Sequence, residues 1–396
     1  MRYSSLISRL HSDGMDGWAT LFEAWRAEER GEDVIILSIG DPDFATPEPI
    51  VERAVEALRG GDTHYAVIEG RQQLRAAVAA DMAARSGLEL DENNVVITAG
   101  TQNALLAASM CLLGGGDEVI GLDPMYLTYE GTLRAGGADL VRVAQTAASG
   151  FRPDPEAIEA AVTERTRVIA LTSPNNPTGV VLTREELEGI GAIARKHDLW
   201  VMADEVYSDL LFGGEHLSIA SLPGMAERTV TVSSLSKSHA MTGWRIGWAV
   251  APAELIRHLN ALQVNINYGV PGFVQEAALE AITEQRMAWR PMRDAYQRRR
   301  DLAASILAAA PGLTVLVPEA GMYLLVDVRK VARSSRAFSH DLFASKRVSV
   351  VDAGAFGEPS DGWIRISFTI GDEELAEGCK RIVDFVRSSN ADASAS

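Results

Sequence analysis

The sequence is poor in cysteine. Only Cys111 and Cys379 occur in 396 residues, and neither stands at a spacing typical of metal ligands. Two cysteines cannot build the disulfide framework of a small secreted domain. The seven histidines show no ligand spacing either. We therefore assign no metal to this chain.

Positive charge is also scarce. Lysine and arginine total 37 against 54 aspartate and glutamate residues, for a net charge of -17. Such a chain has no basic surface to neutralise the phosphates of a nucleic acid or of a membrane. No apolar run approaches membrane-spanning length, and MRYSSLISRLHSDG lacks the apolar centre of a signal peptide. We expect a cytoplasmic protein that binds neither nucleic acid nor membrane.

Apolar, β-branched runs recur between residues 34 and 251, and helix-like stretches lie between most of them. The runs are VIILSIG (34–40), NVVITAG (94–100), DEVIGLD (117–123), RVIALTSP (167–174), LWVMADEVY (199–207), TVTVSSLS (229–236) and WRIGWAVA (244–251). This alternation predicts an α/β fold with a mostly parallel sheet buried on both faces. The last two runs are close enough to form a hairpin or an antiparallel member.

The length exceeds one ordinary hydrophobic core, so we expect two domains. Strand-like segments after a long helix near Pro291 predict a smaller α+β domain. We predict an N-terminal arm and part of the small domain (1–45), a large domain (46–285) and a small C-terminal domain (286–390). The small polar residues 391–396 are predicted to be disordered.

Lysine is rarer still, with five in the chain, and Lys237 stands apart from the others. Lys196, Lys330, Lys346 and Lys380 have polar or charged neighbours on predicted helices, whereas Lys237 follows the apolar run TVTVSS among hydroxyls. A partly desolvated lysine is a nucleophile suited to react with an aldehyde. Alone, Lys237 would be read as a surface lysine on a loop.

Other polar residues follow the predicted strands. Asp204 and Tyr207 follow one strand, Asn176 another, and Ser234, Ser236 and Arg245 flank Lys237, while Thr101 and Gln102 open a helix after a glycine turn. Separately, Asp204 could be a helix N-cap, NNPTG a turn and Arg245 an ion-pair partner. Together they supply what pyridoxal 5′-phosphate requires: a lysine, a carboxylate for the ring nitrogen, donors to the phenolate oxygen and a phosphate site. We predict this cofactor.

The segments SPNNPTG, ADEVY and SSLSKSHAMTGWRIGW resemble, in order and spacing, those of the class I/II aminotransferases of fold type I. The resemblance runs from about residue 30 to 390. It implies a large domain with a mostly parallel seven-stranded sheet covered by helices, plus a smaller α+β domain. It also implies transamination between an amino acid and a 2-oxo acid, in a homodimer whose active sites are shared across the interface.

By the same resemblance, Lys237 binds the cofactor covalently and Asp204 pairs with its ring nitrogen. Asn176 and Tyr207 contact the phenolate oxygen, and we count Tyr207 with Lys237 and Asp204 as catalytic. The phosphate would be held by Ser234, Ser236, Arg245, Thr101, Gln102 and, from the neighbouring subunit, Tyr65. Tyr126 would stack on the ring. Arg365, Gly40 and Asn176 would bind the substrate, Arg365 through its α-carboxylate. Asn176–Pro177 is expected to be a cis bond.

The side-chain specificity is less determined by the sequence. No lysine or arginine occurs between Ser86 and Leu133 or in QVNINYGVP, which disfavours a dicarboxylate specialist. Over its length the chain is similar to bacterial arginine–pyruvate transaminases, through segments such as GDPDFATPEPIV and DPMYLTYE. That similarity implies arginine as donor and pyruvate as acceptor, with Asp13, Asp16 or Glu69 as candidate partners of the guanidinium.

Alternatives remain at this point. The enzyme could act on aspartate, on aromatic donors or on many donors, and a lyase or decarboxylase of the same fold would share the cofactor residues. A non-enzymatic regulator is disfavoured, because nothing basic or helix-turn-helix-like precedes the first motif.

Overall fold

The computed structural model describes residues 2–4, 6–10 and 17–395, with side chains to residue 388. The helices are α1 (Leu6–Leu10), α2 (Ala19–Glu29), α3 (Glu48–Arg59), α4 (Gln72–Ser86), α5 (Thr101–Leu112), α6 (Tyr129–Arg134), α7 (Pro155–Ala160), α8 (Arg184–Lys196), α9 (Ala253–Ile266), α10 (Gly272–Thr283), α11 (Arg290–Ala308), α12 (Ser335–Lys346) and α13 (Asp372–Ala395). The strands are β1 (Ile35–Ile36), β2 (Val95–Thr98), β3 (Glu118–Asp123), β4 (Asp139–Ala144), β5 (Thr166–Thr172), β6 (Trp200–Asp204), β7 (Thr229–Ser234), β8 (Gly247–Val250), β9 (Thr314–Leu316), β10 (Tyr323–Asp327), β11 (Val348–Ser349), β12 (Val351–Asp352) and β13 (Trp363–Ser367).

Seven of these strands form one sheet, in the order β2-β8-β7-β6-β5-β3-β4. Strand β8 runs antiparallel to both neighbours, and the other pairs are parallel. Most residues of the inner strands are buried, which explains their unbroken apolar character. The predicted mostly parallel α/β fold, with β7 and β8 as its antiparallel hairpin, is confirmed. The carboxyl ends of β5, β6 and β7 meet at one edge of the sheet.

Local sequence signals explain where several helices begin. Thr183 and Glu186 form a reciprocal capping box at the start of α8, and the Asp154 side chain caps α7. Helix α5 begins after Gly100, whose φ of 82° favours glycine. Thr101 and Gln102 at the start of α5 line one cavity together with Thr172, Asp204 and Ser234, the last residues of β5, β6 and β7.

A second, smaller set of strands lies in the C-terminal part of the chain. Strands β12, β13, β10 and β9 form an antiparallel sheet in that order, and β1 pairs in parallel with β11. Helices α11 and α13 pack against this part, with Tyr296, Phe368 and Val386 in its core. Residues 35–36 therefore join a unit formed mainly by residues after 290. The predicted domain boundaries stay a prediction.

The C-terminal segment differs from the sequence-based expectation of disorder from residue 391. Helix α13 continues to Ala395, with alanines at 391, 393 and 395. Alanine has the highest helix propensity, which favours continuation of the helix. Residue 396 lies outside the described part. Among the described residues, no helix is both long and apolar enough to cross a membrane.

Candidate active site

A cavity of about 260 Å³ opens where the large sheet meets the C-terminal unit. Twelve of the thirteen site residues predicted from the sequence line it. They are Gly40, Thr101, Gln102, Tyr126, Asn176, Asp204, Tyr207, Ser234, Ser236, Lys237, Arg245 and Arg365. These residues come from seven separate stretches of the chain, so the fold brings them together.

Lys237 lies half-buried in the cavity wall. Its Nζ donates a hydrogen bond to the Gly40 carbonyl oxygen at 2.7 Å. A Cβ atom at Gly40 would collide with the Tyr323 hydroxyl. Glycine is therefore required here by the close approach of the backbone to that hydroxyl.

Asp204 ends β6 and is 4% exposed. Its Oδ2 accepts a hydrogen bond from the Tyr129 hydroxyl and its Oδ1 accepts one from the Val206 N–H at 3.0 Å. Burial raises the pKa of this carboxyl to about 6, although both hydrogen bonds favour the ionised form. The cavity thus contains a buried carboxyl group that titrates near neutral pH.

Asn176 and Tyr207 lie on the same wall. The Asn176–Pro177 bond is cis, as expected, and Asn176 Oδ1 accepts a hydrogen bond from Arg365 at 3.1 Å. The Tyr207 hydroxyl donates to that of Tyr323 at 3.4 Å. Burial holds the pKa of Tyr207 well above its ordinary value, with the neighbouring Tyr323 adding to the effect. Tyr207 is therefore a neutral hydrogen-bond donor at physiological pH.

One end of the cavity is suited to an anion. The Thr101 Oγ1 is buried and has no hydrogen-bond partner among the described residues, and the first N–H groups of α5 lack intrahelical acceptors. Arg245 lies beside this helix start, its Nη1 donating to the Thr242 carbonyl at 2.7 Å and its Nη2 to the Ala99 carbonyl at 3.3 Å. With the hydroxyls of Ser234 and Ser236, this donor set fits a phosphate group.

Arg365 is 3% exposed and comes from β13 in the C-terminal unit. Its Nη2 donates to the Ser38 carbonyl at 2.8 Å, and its guanidinium lies 4.1 Å from the centre of the Tyr323 ring. The Nε has no partner among the described residues. Among the described residues this buried guanidinium has no carboxylate partner, which makes it a strong site for a bound carboxylate.

Tyr126 and Tyr65 are placed differently. Tyr126 lines the cavity, with its ring in edge contact with Tyr129 at 6.1 Å. Tyr65 does not line the cavity of its own chain: it is 87% exposed and packs edge-on against Tyr268 at 4.9 Å. Its predicted role on a neighbouring subunit's cofactor stays a prediction.

Of the three guanidinium partners suggested by the sequence, Glu69 lies among the described residues. Glu69 accepts hydrogen bonds from Arg75 at 2.7 Å and Asn260 at 3.3 Å, and it does not line the cavity. Because Arg75 and Asn260 engage its carboxylate, the structure gives no support to Glu69 as a partner of the substrate guanidinium, and that role stays a prediction. Asp13 and Asp16 lie outside the described residues.

Several lining residues were missed, notably Tyr129, Tyr323 and Trp18. The spacing of Tyr126 and Tyr129 in DPMYLTYE is the only local signal for Tyr129, and it does not separate a site residue from a core one. Among the described residues, no group of three or more His, Cys, Asp or Glu side chains could hold a metal ion.

Comparison with known proteins gives a consistent result. A family model described as aminotransferase class I and II matches residues 32–382. An arginine–pyruvate transaminase from Pseudomonas aeruginosa is 47% identical over 96% of this chain and 97% of its own length. The solved aspartate aminotransferase from Thermus thermophilus with maleate superposes with a TM-score of 0.92, at 34% identity over 97% of this chain and all of that chain. An aromatic aminotransferase structure from Pyrococcus horikoshii gives a TM-score of 0.87 at 36% identity, over 92% of this chain and 99% of that one.

Proposed function

The chain belongs to the class I and II aminotransferases, and on that premise we propose that it transfers the α-amino group of L-arginine to pyruvate. Enzymes of this family are transaminases that depend on pyridoxal 5′-phosphate, and this chain is one of them. The observation that carries the choice of donor and acceptor is the similarity, over nearly the whole chain, to an arginine–pyruvate transaminase.

When bound, the cofactor supplies an aldehyde and a protonated ring that withdraws electrons from the substrate's α-carbon. We assign Lys237 to covalent attachment of the cofactor and to removal of the proton from that carbon. Asp204 would hold the proton on the ring nitrogen. Asn176 and Tyr207 would donate to the phenolate oxygen, which their burial and position on one wall support.

The anionic end of the cofactor would lie against the start of α5. Thr101 offers an unpartnered hydroxyl, and its N–H and that of Gln102 are the first two of the helix. The Gln102 side chain is engaged by Thr128 and Thr132, so its backbone is the group available to the phosphate. Ser234, Ser236 and Arg245 would complete the site, and Tyr126 would cover one face of the ring.

Arg365 would bind the substrate α-carboxylate, with Gly40 beside it. Three neighbours orient the guanidinium: Asn176, the Ser38 carbonyl and the Tyr323 ring. Asn176 lies at hydrogen-bond distance from this arginine, so one side chain would serve both the cofactor and the substrate. A fixed guanidinium aligns the α-carbon for proton removal by Lys237.

The charges of the cavity support a donor that is not a dicarboxylate. Among the described lining residues the cationic side chains are Lys237, Arg245 and Arg365, and each has an assigned role. None is left for a distal carboxylate, which disfavours aspartate as the preferred donor. Residues 11–16 precede the lining residue Trp18, so Asp13 and Asp16 stay candidates for the guanidinium of arginine.

We further propose a homodimer in which Tyr65 reaches the phosphate site of the neighbouring subunit. A tyrosine that is 87% exposed in one chain is unusual, and Val67, Val264, Ile266 and Tyr268 expose apolar surface too. Burial of such residues against a second copy would remove apolar surface from water. A cytoplasmic location stays a prediction.

The donor is tested by single-turnover half-reactions that follow cofactor absorbance with L-arginine, L-alanine, L-aspartate and L-phenylalanine. We expect arginine to react at least about tenfold faster than the others, and pyruvate to restore the starting spectrum. Equal rates for arginine, alanine and aspartate would contradict the specificity but leave the transaminase assignment intact. Product formation without any 2-oxo acid would instead favour a lyase or decarboxylase.

A further inference from the structure

Two residues outside the predicted set form a hydrogen-bonded chain that ends on Asp204. Thr172 Oγ1 donates to the Tyr129 hydroxyl at 3.2 Å, and the Tyr129 hydroxyl donates to Asp204 Oδ2. We propose that Tyr129 is a positioning residue for the reaction: its hydroxyl, held by Thr172, keeps the Asp204 carboxylate ionised and in one orientation. This inference rests on the role proposed above for Asp204.

The three hydrogen-bonded side chains come from three different elements. Thr172 ends β5, Asp204 ends β6, and the two residues stand opposite each other in the parallel pairing of these strands. Tyr129 opens α6 and is 6% exposed. Its ring packs against Tyr126 and against the core cluster of the large sheet, so the hydroxyl has little freedom to leave the carboxylate.

The direction of the hydrogen bonds follows from the chemistry of the groups. A phenol has one proton and can also accept a hydrogen bond, whereas an ionised carboxylate only accepts. The threonine proton occupies an acceptor site of the Tyr129 oxygen, so the Tyr129 proton is committed to Asp204. Because the Val206 N–H donates to Oδ1, each carboxylate oxygen receives one donor from the protein. Both donors stabilise the charged form.

That stabilisation opposes the effect of burial. Burial raises the pKa of Asp204 to about 6, the nearby Glu205 charge adds to the rise, and the bonds from Tyr129 and Val206 lower it. The other titratable or charged side chains that line the cavity are Tyr126, Tyr207, Tyr323, Lys237, Arg245 and Arg365. Without the Tyr129 hydroxyl, Asp204 would keep its proton to a higher pH. A protonated Asp204 could not keep the cofactor's ring nitrogen protonated, which requires a carboxylate partner.

The test uses apoenzyme labelled with ¹³C-aspartate, in which the Asp204 signal is identified by its loss in Asp204→Asn. We expect its titration midpoint near 6 in the wild type and about one pH unit higher in Tyr129→Phe, a tenfold change in proton affinity. Thr172→Val should move it in the same direction by less. Tyr296→Phe is the matched control, because it removes a buried hydroxyl that has no partner among the described residues and lies outside the cavity.

A second readout is the pH dependence of pyridoxal 5′-phosphate binding to the apoenzyme. Its acid limb should move to higher pH in Tyr129→Phe and stay in place in Tyr296→Phe. A Tyr129→Phe midpoint equal to that of the wild type would overturn the proposal. If Tyr129→Phe does not fold, an Asp204 titration midpoint in Thr172→Val equal to that of the wild type would overturn the proposal. A wild-type protein that binds no cofactor would refute the proposed function. The Asp204 titration midpoints of the apoenzymes would still show whether Tyr129 favours the ionised form of Asp204.

Discussion

Lys237 differs from the other lysines by the groups that surround it. Its ammonium contacts the Gly40 carbonyl and forms no ion pair among the described residues, whereas Lys196 pairs with Glu159 on the surface. A surface ion pair of this kind contributes little to stability. The absence of a carboxylate partner leaves the Lys237 amine free for covalent chemistry. The two lysines therefore form a natural pair for comparison.

Replacement of Lys237 by alanine should reduce turnover by at least about 1,000-fold, because the covalent anchor and the proton-transfer group are lost together. Lys196→Ala should leave the catalytic constant unchanged. Both are measured as steady-state transamination with saturating cofactor. Near-wild-type turnover by the Lys237 variant would remove this residue from the mechanism.

Asp204 should also influence how the stability of the apoenzyme depends on pH. Its folded-state pKa of about 6 lies above the ordinary value of 3.8, so the folded chain binds the proton more tightly than the unfolded chain. Its contribution to stability is present at low pH and is lost as the pH rises through about 6. Asp204→Asn removes this dependence.

We therefore expect the unfolding free energy of the Asp204→Asn apoenzyme, relative to the wild type, to rise by about 1.4 kcal/mol between pH 5 and 7.5. Urea unfolding at the two pH values measures this difference. Burial also raises the pKa of Asp123 to about 6. Because Asp123 is present in both proteins, its contribution to the pH dependence cancels in the difference. A relative stability that does not change with pH would contradict the buried, titrating carboxyl.

At the scale of elements, the sequence predicted best where a strand or helix end coincides with a polar residue. Asp204 ends β6, Ser234 ends β7 and Thr101 begins α5, and each boundary is marked by a change from apolar to polar residues. The parallel sheet then brings these ends to one edge. Tyr129 and Tyr323 could not be found in this way. Both are aromatic residues within apolar surroundings, and only the packing of distant elements directs their hydroxyls into the cavity.

The start of α5 allows a test of the anion site. Thr101→Val keeps the shape of the side chain and removes a buried hydroxyl that has no partner among the described residues. Loss of a hydrogen bond to a charged group should weaken cofactor binding by about 10- to 100-fold. The apoenzyme should be as stable as the wild type or slightly more stable, since an unsatisfied polar group is removed.

Thr229→Val provides the control for this variant. Thr229 is 2% exposed at the start of β7, its hydroxyl also lacks a partner among the described residues, and it does not line the cavity. We expect the same effect on stability and no change in cofactor affinity. Affinity is measured by titration of the apoenzymes. Equal affinities for both variants would show that the Thr101 hydroxyl does not contact the phosphate.

At the scale of the whole molecule, the site is assembled from two units. Arg365 comes from the C-terminal unit, Gly40 follows β1, and most other lining residues lie between residues 101 and 245, in the part of the chain that forms the large sheet. Arg299 of α11 joins the segment after β1 to the C-terminal unit, since it donates two hydrogen bonds of 2.8 and 2.9 Å to Asp43 and one of 2.7 Å to Asp372. Arg365, the proposed ligand of the substrate carboxylate, and Lys237 therefore belong to different units.

Mixed dimers test whether Tyr65 acts on the neighbouring subunit. Lys237→Ala and Tyr65→Ala chains should each be impaired alone at limiting cofactor. After mixing and subunit exchange, each hybrid would contain one site with its own Lys237 and the partner's intact Tyr65. Up to about a quarter of wild-type activity should return.

The control for the mixed dimers is a mixture of Lys237→Ala and Arg365→Ala chains. Both residues line the cavity of the same chain, so no hybrid gains a complete site and activity should not return. Failure of the first mixture to recover, with exchange verified, would place Tyr65 outside the shared site.

The pairing of β1 with β11 has a consequence for synthesis of the chain. Ile35 leaves the ribosome 313 residues before its partner Val348. All seven strands of the large sheet, by contrast, are complete once Val250 has emerged. The large sheet can therefore form during translation, whereas the N-terminal segment must wait unpaired. Because Gly40 follows β1, closure of the catalytic cavity is among the last events in the maturation of each molecule.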